Sequence, residues 1–283
     1  LTHTEGRPLC IPMYYGSPDE EQAYSVKNEY YFGTELIVAP ITKKINKSLN
    51  MARTKVYLPE GRWTDIFTGQ VYMGGKSLYM YRDLTSIPVL AKQGAILPLD
   101  ADDVTNGVEL PKELVVWVYR GTGSFDLVEE IDGKIVKTPF VVSEADGKVT
   151  FTKSALSGSM TRKYYFLFRD ITAGKAIVSV NGKKVQEIEL TKDLPVTVDN
   201  ITADDTVTVE ISDYTVLTNP TMKEHIITIL SKFQGSSMNK RVKFGKIKKH
   251  LKDEKMFVSR AMSLYTNFIS DAFEENTPPE EII

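Results

Sequence analysis

One cysteine, three histidines and two tryptophans are all that this 283-residue chain has of those residue types. A single cysteine, Cys10, allows no internal disulfide. It lies in an apolar run, where a thiol reads as a small buried hydrophobe rather than a nucleophile. His3, His225 and His250 stand far apart, without the spacing of metal ligands. No apolar run approaches the ~20 residues needed to cross a bilayer. Net charge is only −2, which removes any global reason to expect a nucleic-acid partner. Internal repeats and low-complexity tracts are missing as well. The first residue is Leu1 and no charged-then-apolar leader follows, so localisation cannot be read from the start of the chain. The cytoplasm is only the default.

What remains is ordinary: 42% hydrophobic and 25% charged residues, with length for about two domains. Leu9 to Tyr15 is a short, nearly continuous apolar run, as in a strand buried on both faces of a parallel sheet. Gly16 ends it. Ser17-Pro18-Asp19-Glu20-Glu21 predicts a helix start, with Ser17 as N-cap, Pro18 at the first position and acids in the first turn. That account also suffices for the three acids. From Thr34 to Pro98, and again from Glu109, short strand patterns alternate with turns, as in β-sandwiches. Asp100 to Gly107 reads as a polar linker, and Asn181-Gly182 is a strong hairpin signal. Glu129, Glu130 and Asp132 read as solvated charge. After Asn219-Pro220 the period becomes helical, opened by a capping box at Thr221 and Glu224. A basic stretch runs from Lys240 to Lys255. It suggests an anionic partner, although a surface helix with solvated lysines is the plainer reading.

Four segments stand in order along the first third. They are Pro12 to Pro18, Glu29 to Ile41, Val56 to Asp65, and Ile87 to Pro98. The second follows the pattern QYxFGxxLLVAPV, the third VYLPxGxWYD and the fourth IPVFxRxGAIIP. Together they resemble glycoside hydrolase family 31, the α-glucosidase and α-xylosidase group, over about residues 5–99. The resemblance implies a mainly β fold, with two β-sandwich domains after the last strand of a (β/α)8 barrel and a small helical C-terminal segment. The expected boundaries are 1–33 for the last barrel strand and a short helix, 34–99 for a proximal sandwich, 108–215 for a distal sandwich and 219–283 for a helical appendage.

Function follows from the same resemblance. It implies the C-terminal part of a retaining α-glycosidase, foremost an α-glucosidase removing terminal α-linked glucose, with transglycosylation as a related outcome. Such enzymes use two carboxylates about 5–5.5 Å apart. In the family both are aspartates on earlier barrel strands. No position here matches either motif, so no catalytic residue is assigned, and this piece alone is expected to be inactive. Tyr14 and Tyr15 are candidates for the rim of a sugar site through ring stacking, with packing at the strand end as the plainer account. No cofactor or metal is implied. The expected partners are the upstream catalytic barrel of the same protein and an α-linked oligosaccharide, without nucleic acid or membrane. The alternative from another class is a non-catalytic carbohydrate-binding or protein-interaction β-sandwich module.

Overall fold

The structure is a computed structural model. It describes residues 2–47, 50–102, 109–131, 133–156, 160–232, 237–250, 252–253, 255–257 and 261. Most of the expected linker, Asp132, and much of the expected helical appendage, including residues 233–236 and 262–283, fall outside them. The chain forms two compact units, residues 1–90 with 218–283, and residues 91–217. Both are built chiefly from strands, as the mainly β reading requires.

The first unit opens with α1 (Thr2–Glu5), β1 (Cys10–Pro12), α2 (Met13–Gly16) and α3 (Glu21–Ser25). It continues through β2 (Tyr30–Phe32), β3 (Leu36–Val38), β4 (Ala52–Leu58), β5 (Arg62–Asp65), β6 (Val71–Met73), β7 (Lys76–Arg82) and β8 (Val89–Lys92). A six-stranded sheet runs β1-β2-β3-β8-β5-β6, and β4 pairs with β7 separately. Met13, Ile37, Val56, Leu58, Trp63 and Met80 meet in one core. The signature residues hold this core together. The Trp63 indole N–H donates to the Pro59 carbonyl at 2.8 Å. Asp65 is buried, accepts the N–H groups of Phe67 and Thr68 at 2.9 Å each, and takes the Arg82 guanidinium at 2.5 Å. A buried charge of this kind persists only when paired and hydrogen-bonded. Later in the chain α4 (Met222–Lys232) and α5 (Ser237–Lys248) belong to this unit.

Two local expectations need correction. The apolar run is a strand only over Cys10–Pro12, and it pairs antiparallel with Tyr30–Phe32. It is not buried on both faces: Ile11 is buried, whereas Cys10 and Pro12 are exposed. Cys10 is therefore not the buried hydrophobe expected. Nor does a helix start at Ser17. The Ser17 hydroxyl shares a hydrogen bond with the Tyr31 hydroxyl at 3.2 Å, and its backbone closes the short α2 turn instead. With that cap engaged elsewhere, the helix begins at Glu21.

The second unit contains β9 (Ile96–Asp100), β10 (Glu113–Val118), β11 (Gly123–Ile131), β12 (Lys134–Ala145), β13 (Lys148–Lys153), β14 (Thr161–Phe168), β15 (Ile171–Val180), β16 (Lys183–Thr191), β17 (Val196–Thr202) and β18 (Val207–Val216). One sheet runs β17-β14-β10-β9 and the other β11-β12-β13-β18-β15-β16. Alternation directs Leu114, Val116 and Phe166 of the first sheet and Phe140, Phe151 and Val209 of the second into a shared core, which makes a sandwich. Phe151 and Phe166 have ring centroids 4.9 Å apart. Asn181 and Gly182 both take positive φ, 51° and 75°, between β15 and β16, as a tight hairpin turn demands. Gly94 is required by crowding, since a Cβ there would lie 2.5 Å from the Thr122 carbonyl oxygen. Glu129 is not solvated. Its carboxylate accepts both Arg162 Nη groups, at 2.6 and 2.7 Å, in a buried bidentate pair.

Candidate functional site

The α2 turn presents its two tyrosines outward. Tyr14 is 42% exposed and Tyr15 72% exposed, so neither serves as core packing in this structure. Met13, between Pro12 and Tyr14, is the residue of this turn that enters the core. A three-ring row results. The Tyr14 and Tyr15 centroids are 5.3 Å apart, and Tyr24 of α3 stacks on Tyr14 at 5.4 Å with 14° between planes. The Tyr24 hydroxyl donates to the Pro18 carbonyl at 2.9 Å, which fixes the far ring. Beside this row lies an open cleft of about 590 Å³, lined by Arg7, Cys10, Tyr14, Tyr15, Tyr31 and Thr34 among others. Apolar ring faces beside a few polar groups suit a ligand with one apolar and one hydroxylated surface.

The cleft wall is braced from below. The Tyr31 ring packs against Gly16 so closely that a Cβ there would lie 2.5 Å from the ring. Its hydroxyl meets Ser17, and burial holds its pKa above the ordinary tyrosine value, with the Glu29 charge acting in the same direction and the Ser17 hydrogen bond opposing. Glu29 is 4% exposed. One carboxyl oxygen accepts the Tyr57 N–H at 2.8 Å, and the other has no hydrogen-bond partner. Burial pushes its pKa up to about 8, against the lowering effect of the Tyr57 N–H, so it carries its proton at neutral pH. Sequence reasoning missed Glu29, Tyr24 and Tyr31 as parts of one assembly. The only local signal was an acid opening the aromatic run Tyr30-Tyr31-Phe32.

Asp19 and Glu20, on the approach to α3, and Glu21, its first residue, are exposed. Among the described residues no group of three or more His, Cys, Asp and Glu is arranged to hold a metal ion. The arrangement can position and stack against a ligand. The described residues give it no acid–nucleophile pair.

Residues 6–97 match the glycosyl hydrolase family 31 C-terminal domain. Over 163 residues the chain is 29% identical to alpha-glucosidase 2 of Bacillus thermoamyloliquefaciens, covering 57% of this chain and 18% of that protein. It is 27% identical over 162 residues to the alpha-xylosidase XylQ of Lactiplantibacillus pentosus, covering 55% and 20%. The chain thus spans about a fifth of the length of these curated relatives. A solved dextranase from Flavobacterium johnsoniae shares the fold at a TM-score of 0.59 and 18% identity, over 75% of this chain and 30% of that one. Over residues 6–97, about a third of its length, the chain is therefore similar to the C-terminal domain of glycosyl hydrolase family 31.

Proposed function

We propose that this chain is the C-terminal part of a retaining α-glycosidase that removes terminal α-linked glucose from oligosaccharides. It braces the catalytic barrel, and Tyr14 and Tyr15 stand at the rim of the substrate site. The observation that carries this reading is a division of labour within one segment. Glu29, Trp63 and Asp65 of the family signatures are spent on the core, while the tyrosine row that precedes them faces an open cleft. One matched relative is an alpha-glucosidase and the other an alpha-xylosidase, which supports a glycosidic bond as the common target.

The 283-residue chain alone has no counterpart of the catalytic aspartates, so it is expected to release no nitrophenol from a nitrophenyl α-glucoside. Release above the buffer rate would overturn that. In the full-length protein, Tyr15→Ala is expected to raise KM about three- to ten-fold with little change in kcat, the pattern of lost uniform binding. An unchanged KM would remove Tyr15 from the rim. Retardation of the 283-residue chain in starch or dextran gels would favour the non-catalytic binding module.

A further inference from the structure

The basic segment near the C-terminal end is not absorbed by any of this. Residues 238–256 carry eight Lys and Arg against two acids, a formal charge of +6 in a chain of net charge −2. Arg241, Lys246, Lys248, Lys249, Lys252 and Lys255 are all exposed, and no ion pair joins them to a carboxylate among the described residues. A solvated surface helix usually intersperses its signs. Here one sign is concentrated.

The distribution around α5 is more specific than the charge. Met238 is 70% exposed and Val242 51% exposed. Four residues apart, they lie one above the other on the same side of the helix. Ile247 follows Met238 by nine residues, half a turn around at about 100° per residue, and it is fully buried. The outward side therefore has an apolar centre, Met238 and Val242 with Gly245 beyond them. Arg241 and Lys248 border it on one side and Lys246 on the other. Exposed Met256 adds a further apolar residue among the lysines that follow.

We propose that this outward face of α5 docks on an anionic lipid bilayer surface, with the cations on the headgroups and Met238 and Val242 in the headgroup–acyl boundary. A soluble polyanion would satisfy the lysines and leave the two apolar side chains in water. A bilayer surface satisfies both. This is contact with a surface and not a crossing, since no helix among the described residues is long and apolar enough to span a membrane.

The test is sedimentation of the 283-residue chain with vesicles of phosphatidylcholine alone or with about 30% phosphatidylglycerol, the mixed vesicles carrying the negative surface potential. Binding is expected only to the anionic vesicles, and it should weaken steeply as salt rises. The triple change Arg241→Glu, Lys246→Glu, Lys248→Glu should reduce it at least about ten-fold. Met238→Ser with Val242→Ser, at exposed positions that leave folding intact by circular dichroism, should reduce vesicle binding about ten-fold and leave binding to heparin unchanged. No binding to anionic vesicles would overturn the proposal. So would vesicle binding by the double serine variant equal to that of the parent chain, the result expected of a site that reads charge alone.

Discussion

At the scale of single residues, Glu29 makes the sharpest statement. A carboxyl this deeply buried, with one oxygen on the Tyr57 N–H and the other unpartnered, is held in its neutral form. The sign of the pH dependence follows. The folded pKa of about 8 lies above the ordinary 4.5, so between those values the folded state binds more protons than the unfolded one. The contribution of Glu29 to stability is therefore fully present below about pH 4.5. It declines as pH rises and is lost above about pH 8. The linked loss is on the order of 5 kcal/mol across that window. Glu29→Gln keeps the acceptor for Tyr57 and removes the titration. Its denaturation midpoint should stay flat from pH 5 to pH 9, while the parent's falls; parallel profiles would show that Glu29 does not titrate there.

At the scale of elements, the alternation of β10 and β14 was legible because each strand has one face in the sandwich core. The Asn181-Gly182 turn was legible for the same local reason. What escaped the sequence is non-local. The Ser17 hydroxyl is engaged by Tyr31, fourteen residues on, and Glu129 by Arg162, thirty-three residues on. Neither partner is marked by any local pattern. The run Leu9 to Tyr15 was too short for periodicity to separate a strand from a strand followed by a helical turn. In the candidate site, Tyr14 and Tyr15 could be named from the sequence, but the row with Tyr24 and the support from Tyr31 needed the fold.

Asn219 is another non-local device, and it is testable. Strand β6 lies at an edge of the six-stranded sheet, and the Asn219 side chain completes it. Its oxygen accepts the Val71 N–H at 2.6 Å, and its amide donates to the Val71 carbonyl at 2.8 Å. One side chain thereby does the work of a neighbouring strand. Asn219→Ala should cost about 1–2 kcal/mol and speed hydrogen exchange at the Val71 amide, with little effect on the β15–β18 amides. Unchanged exchange at Val71 would mean that the edge needs no such cover.

At the scale of the whole molecule, two cores that share no residue imply two separately adjustable stabilities. Lys153 is the lever for the second. The residue is 1% exposed, and its ammonium group donates to the carbonyls of Thr202, Ala203 and Asp205 at 3.1, 2.8 and 2.7 Å. A fixed cation thus ties the end of β17 to β13. Lys153→Met keeps the aliphatic stem and removes three hydrogen bonds; the Thr202 and Ala203 carbonyls keep the N–H groups of Asp205 and Leu156, whereas the Asp205 carbonyl loses the ammonium, at a cost of about 1–3 kcal/mol. Glu29→Gln at pH 8 acts on the other core and in the opposite direction. In calorimetry the chain should melt in two transitions. Lys153→Met should lower one, Glu29→Gln should raise the other, and the double variant should do both additively. A single transition moved by either change would mean that the two cores melt as one cooperative body, because a perturbation buried in one core can reach a separate transition only through coupling between them.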